Sequence, residues 1–74
     1  MKWKEVNEKQ YYYALEVLPP ACWTSLGFLV GEPMDHNSEG QPRYSPFIQL
    51  NGKYYEGPVM TVQTFRALKG NDLP

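Results

Sequence analysis

The dipeptide Asn51-Gly52 constrains the fold of this chain more than any other pair of residues. Asparagine followed by glycine is the strongest short-range signal for a two-residue hairpin turn, because both residues tolerate a positive φ. Segments rich in apolar and aromatic residues, 44–50 and 53–56, lie on either side of it. We therefore predict two antiparallel strands joined by a type I′ turn. Pro46 cannot donate to a strand ladder, which predicts a sheet edge or a bulge at that position.

A third strand is predicted at residues 28–30, an apolar run that stands between Gly27 and Gly31. Three adjacent apolar residues are typical of a strand that is covered on both faces, or of a central strand. Residues 3–6 are a candidate for a fourth strand, and residues 21–26 are predicted to be a connector.

A first helix is predicted at residues 7–18. Asn7 is a good N-cap, and Gln10 three residues later completes a possible capping box. Pro19 ends the helix, because proline disfavours helical geometry in the residue before it. The apolar side chains form one stripe at helical spacing: Tyr11, Ala14, Leu15 and Leu18.

A second helix is predicted at residues 62–69, with Thr61 as N-cap and Gly70 just after its end. Residues 71–74 are predicted to be a frayed tail. The chain is then one small domain, 1–74, with the element order α-β-β-β-α. The predicted fold class is α+β: a three-stranded antiparallel meander with two helices packed on one face.

Composition excludes several classes of function. The formal net charge is −1 and no run of Lys or Arg exists, so duplex nucleic acid is not an expected partner. Cys22 is the only cysteine, which favours a reducing compartment. The first residues have no apolar signal-peptide core, and no apolar run is long enough to span a bilayer. We therefore expect a cytoplasmic protein without a membrane partner.

The polar loop at residues 32–43 holds the one cluster of potential metal ligands. One histidine without a thiolate pair falls short of a structural zinc site. A solvated loop is the expected interpretation, and a small metal-dependent enzyme is kept as an alternative. No cofactor is predicted. The candidate ligands are Glu32, Asp35, His36 and Glu39.

Two catalytic arrangements are conceivable from the sequence, and neither is favoured. Cys22 and His36 could form a nucleophile–base pair, but Trp23 and two prolines beside Cys22 indicate burial, which makes a cysteine behave as a small hydrophobe. Glu32 and Glu56 close two predicted strands, but a chain of 74 residues has little room for the sugar cleft that paired carboxylates would serve. We predict no catalytic residues and a protein that is not an enzyme.

Surplus aromatic side chains give the strongest functional indication. Aromatic residues make up 15% of the chain, more than a thin core needs, so some rings should reach the surface. Helical spacing places Tyr12 and Tyr13 on opposite flanks of the apolar stripe. We predict a partner-binding surface that combines these two rings with the loop residues Met34, Asp35 and His36. The alternatives are that most rings are core, or that an edge strand or the helix rings pair two copies as a homodimer.

Three segments together resemble a group of small uncharacterised proteins from bacterial plasmids and other mobile elements. That group has no established catalytic residues, so the resemblance assigns none to this chain. It does imply stoichiometric binding to a host protein or protein complex, as in inhibitors of host defence complexes such as CRISPR effectors. The segments are YALEVLPPA at 13–21, GFLVGEP at 27–33 and YYEGPVMTVQTFRAL at 54–68.

Overall fold

A computed structural model describes residues 1–74 and shows an α+β fold built on two antiparallel sheets. The main sheet has five strands in the spatial order β1-β7-β6-β3-β2, and the second sheet is the two-stranded ribbon β4-β5. In chain order the elements are β1 (Lys4–Val6), α1 (Glu8–Val17), β2 (Cys22–Trp23), β3 (Gly27–Leu29), β4 (Asp35–His36), β5 (Pro42–Arg43), β6 (Pro46–Leu50), β7 (Lys53–Glu56), α2 (Val62–Arg66) and a 3₁₀ helix (Gly70–Asp72).

The predicted hairpin is present. Asn51 and Gly52 have φ angles of 52° and 75°, the two positive values that a type I′ turn requires. Leu50 faces Lys53 directly across the turn. The edge position predicted for Pro46 is wrong, because β6 lies between β3 and β7. Pro46 is the first residue of its strand, where a missing N–H is tolerated.

The predicted three-stranded meander is also wrong, because two short strands extend the sheet at both edges. β1 pairs with β7 in the segment considered as a fourth strand. β2 pairs with β3 inside the predicted connector. A two-residue strand is too short to give a sequence period. The predicted polar loop contains a further unexpected feature, the β4–β5 hairpin.

The first helix forms for the reason the sequence indicates. The Asn7 side chain accepts a hydrogen bond from the backbone N–H of Gln10 at 2.8 Å. The Gln10 side chain accepts in turn from the backbone N–H of Asn7 at 3.0 Å, which completes the capping box. The helix ends at Val17, and Leu18 before Pro19 is extended. Neither helix of this fold has the length and apolar character needed to cross a membrane.

The two helices lie on opposite faces of the sheet, so the prediction of two helices on one face is wrong. Neighbouring strand residues point to opposite faces, and both Phe28-Leu29 and Phe47-Ile48 are buried. Each face therefore needs its own cover. The first cluster, on the α1 face, is Val6, Tyr11, Phe28 and Phe47. The second, on the α2 face, is Leu29, Ile48, Met60 and Phe65.

The C-terminal segment covers the second cluster. α2 is shorter than predicted and begins after Thr61, whose side chain accepts from the Thr64 N–H at 3.2 Å. The 3₁₀ helix then follows where a frayed end was predicted. Trp3 Nε1 donates to the carbonyl of Asp72 at 2.6 Å, and Leu73 packs against the cluster. The two ends of the chain are thus held together on this face.

Candidate functional site

Tyr12 and Tyr13, the two tyrosines of the predicted site, are both exposed to solvent on α1. Tyr12 is 42% exposed, and its ring centroid lies 5.2 Å from Tyr11 and 6.0 Å from Tyr54 on β7. Tyr13 is 70% exposed. Tyr11 beneath them is buried, and this burial, followed by the neighbouring Tyr12, raises the pKa of the Tyr11 hydroxyl. The two rings therefore differ in their surroundings. Tyr12 contacts Tyr54 of the sheet, whereas Tyr13 packs against no other aromatic ring.

Tyr13 lies on the solvent side of α1, away from the Tyr12 flank. At about 100° per residue, Tyr13 and Val17 fall on the flank away from Tyr12, which leans on β7. Trp23 on β2 lies on this same face of the sheet, because its ring is 5.7 Å from Phe28 of the first cluster. We call Tyr13, Val17 and Trp23 the apolar surface; Val17 is 50% exposed and Trp23 is 60% exposed.

Sequence reasoning missed Trp23 as a surface residue. Trp23 was counted only as one of the surplus rings, and its presence beside Cys22 was used to predict burial of the cysteine; Cys22 is half-buried and Trp23 is exposed. The two residues form a strand, so their side chains point to opposite faces, and β2 is an edge strand with cover on one side only. Only the pairing of β2 with β3 could have revealed this, and that pairing is not visible in a two-residue segment.

The other predicted site residues lie on the β4–β5 hairpin. Met34 is 67% exposed, and Asp35 and His36 form β4. Arg43 on β5 donates two hydrogen bonds to the Asp35 carboxylate, at 2.7 and 2.5 Å. This hydrogen bonding, the largest cause, lowers the pKa of Asp35. The hairpin therefore presents an exposed methionine beside a closed ion pair.

The structure does not join the two parts of the predicted site. No hydrogen bond, ring contact or ion pair links Tyr12 or Tyr13 to Met34, Asp35 or His36. The tyrosines belong to the helix on one face, whereas the hairpin continues from the ends of β3 and β6.

The candidate metal ligands and catalytic pairs are not assembled. No group of three or more His, Cys, Asp or Glu side chains is placed to hold a metal ion. Cys22 Sγ donates to the carbonyl of Trp23, at 3.8 Å, and not to His36. Glu56 accepts a hydrogen bond from Ser45 at 3.1 Å. These positions give no geometric support to the metal-dependent alternative.

One groove, of about 510 Å³, opens between the β4–β5 hairpin and α2. Sequence reasoning missed it, because its two walls are separated by 18 residues of chain and meet only after the sheet has formed. A single β-bridge between Tyr44 and Met60 brings the walls together. The lining residues are Gln41, Pro42, Thr61, Val62, Gln63, Arg66 and Ala67.

Comparisons of the chain with protein-family models, with curated proteins and with solved structures found no match. The resemblance to mobile-element proteins therefore stays a prediction. Function has to be argued from the apolar surface, the hairpin and the groove.

Proposed function

We propose that this chain is a non-enzymatic protein-binding module that contacts its partner through the apolar surface, together with Tyr12 on the other flank of α1. The observation that carries the proposal is the exposure of Tyr13 and Trp23 on one side of a small domain. Tyrosine and tryptophan are the residue types most enriched at the energetic centres of protein interfaces. A partner that covers them would remove a large apolar area from water.

The apolar surface rests on a firm base, which favours binding. Trp23 leans on Phe28, and Phe28 stacks on Phe47 with ring centroids 5.7 Å apart. The capping box fixes the start of the helix that carries Tyr13 and Val17. Side chains held in place before binding lose less conformational entropy when a partner arrives.

Met34, Asp35 and His36 on the hairpin form a second proposed contact region. The expected partner is a host protein or protein complex, and inhibition of a defence complex such as a CRISPR effector would need only stoichiometric binding. This partner class follows from the resemblance alone.

The proposal can be tested by capture from a host lysate with the immobilised chain. A partner should be retained by the parent protein and lost from the double variant Tyr13→Ser/Trp23→Ser. Lys9→Ser is the control and should keep the partner, since it changes an exposed side chain of α1 that lies outside both proposed contact regions. A partner that binds the double variant as well as the parent would overturn the apolar surface as the contact.

A second candidate function is a homodimer, and one observation favours it. The β1 edge of the sheet carries the charged residues Lys4 and Glu5, whereas the β2 edge has no charged side chain. Uncharged edges are less protected against pairing with another strand. Sedimentation velocity distinguishes a dimer from a monomeric binding module: a monomer at all protein concentrations would exclude the dimer.

No observation favours a metal-dependent enzyme. Calorimetric titration of the protein with Zn²⁺, Mn²⁺ and Mg²⁺ tests this alternative.

A further inference from the structure

The groove between the hairpin and α2 has one wall rich in free hydrogen-bond donors. Gln63 and Arg66 lie three residues apart on α2, so they share a side of the helix, and both line the groove. Neither side chain makes a hydrogen bond within the protein. Across the groove, Gln41 uses its side-chain oxygen for Asn37 and keeps its amide N–H groups free.

The charge of the groove is positive. Arg66 is the only ionised side chain in its lining. The only ion pair in the structure joins Arg43 to Asp35, so Arg66 has no acidic partner. A guanidinium presents donors in a planar fork that matches a carboxylate. The remaining lining is the N-cap residue Thr61 and the apolar residues Pro42, Val62 and Ala67.

We propose that this groove binds an extended acidic segment of the partner protein, with a carboxylate on Arg66. The segment's backbone would exchange hydrogen bonds with Gln63 and Gln41, and its apolar side chains would lie against Val62 and Pro42. A small free anion would find one exposed cation and little else, whereas a peptide uses all three kinds of lining. This inference rests on the proposed protein-binding function and adds a second, charged contact to it.

The volume fits this occupant. Ligand sites of about 300 to 1,000 Å³ accommodate ligands of drug size, and the groove lies within that range at about 510 Å³. Its walls come from a hairpin and a helix that are joined by the Tyr44–Met60 bridge, so their spacing is fixed by backbone hydrogen bonds of 2.8 and 3.0 Å. A peptide would therefore enter a groove that already exists.

The test is a titration of the ¹⁵N-labelled chain with a blocked pentapeptide, Ac-Ala-Val-Glu-Val-Ala-NH₂, followed by amide chemical shifts. The control peptide has glutamine in place of glutamate. We expect weak binding in the millimolar range, with the shifts concentrated at Gln41 and on α2. The glutamine peptide and the variant Arg66→Gln should each weaken binding about threefold, the effect of an exposed ion pair. Lys9→Gln removes the same charge from α1 and should leave binding unchanged.

The outcomes separate this inference from the proposed function. Shifts that spread over the surface, or equal affinity for the two peptides, would overturn the acidic-segment site. Equal affinity of Arg66→Gln and Lys9→Gln would do the same. If the peptide does not bind, but the double variant Tyr13→Ser/Trp23→Ser loses a partner captured from lysate, the groove is excluded as a binding site and the protein-binding proposal stands. If the peptide binds but no partner depends on Trp23, the groove stands and the apolar surface is overturned.

Discussion

Trp3 is the residue on which the closure of the second cluster depends most directly. Its indole N–H donates to the Asp72 carbonyl, and its ring lies so close to Gly57 that a Cβ there would come within 2.5 Å of it. The residue therefore joins the start of the chain, the end of β7 and the C-terminal segment through a single side chain.

Replacing Trp3 by phenylalanine should lower the free energy of unfolding by about 1–3 kcal/mol. The change leaves the Asp72 carbonyl without its donor and removes part of a ring that packs against the second cluster. Urea denaturation measures the loss. Trp23→Phe is the matched control and should change stability by less than about 0.5 kcal/mol, because that ring is exposed. Equal losses in the two variants would contradict the role assigned to Trp3.

Asp35 should titrate below its ordinary pKa of 3.8 because Arg43 donates to its charged form. A carboxyl whose folded pKa is lowered stabilises the fold above its unfolded pKa, and this contribution is lost as the pH falls through the folded value. NMR titration of the side-chain carboxyl measures it. Arg43→Gln should bring the pKa back towards 3.8, whereas Arg66→Gln, on α2, should not. An unchanged Asp35 titration in Arg43→Gln would show that the pair does not form in solution.

At the scale of elements, the pairing of β3 with β6 leaves no room for a side chain at Gly27. A Cβ on this residue would lie 2.0 Å from the carbonyl oxygen of Phe47 and 2.7 Å from Cα of Ile48. Both are backbone atoms of β6, which cannot move away without breaking the pairing of β3 with β6.

Gly27→Ala should therefore destabilise the protein by about 1–3 kcal/mol or more, since the added methyl group has no space. Gly70→Ala is the control: nothing lies within 4 Å of its Cβ position. Thermal unfolding of the two variants gives the comparison. A Gly27→Ala protein as stable as Gly70→Ala would mean that the two strands are further apart than described.

Local sequence signals predicted the elements that local interactions stabilise. The α1 capping box lies within four residues, and the Asn51-Gly52 turn needs only two positive φ angles. The β2 strand and the groove could not be found in this way. β2 exists because the outer edge of β3 needs partners, and the groove exists because residues 41–42 and α2 lie on the same side of the sheet.

The arrangement of the helices was within reach of sequence reasoning. The apolar run at 28–30, of which only the first two residues lie in β3, already indicated a central strand or one covered on both faces. Cover on both faces requires a packing element on each side of the sheet. The prediction of both helices on one side would have left the other face of this strand uncovered. The apolar surface was only half predicted, because Tyr13 follows from helical spacing whereas Trp23 follows from tertiary pairing.

At the scale of the whole molecule, two small clusters share one sheet. Phe28 and Phe47 belong to the first cluster, and their chain neighbours Leu29 and Ile48 belong to the second. Each cluster has only four buried residues, too few to support a folded unit by itself. Both clusters are built on the same strands, β3 and β6. Loss of either cluster would therefore expose one face of these strands and destabilise the other cluster as well.

The protein should therefore unfold in a single transition, although its two tryptophans report on different faces. Trp23→Phe leaves Trp3 as the probe of the second cluster, and Trp3→Phe leaves Trp23 as the probe of the first. In each variant, tryptophan fluorescence and far-ultraviolet circular dichroism should give the same urea midpoint. Comparing two probes within one variant removes the stability difference between variants. A Trp23 transition that precedes the loss of secondary structure would instead mean that the α1 face opens independently, and that the apolar surface is detached from the fold before the sheet is lost.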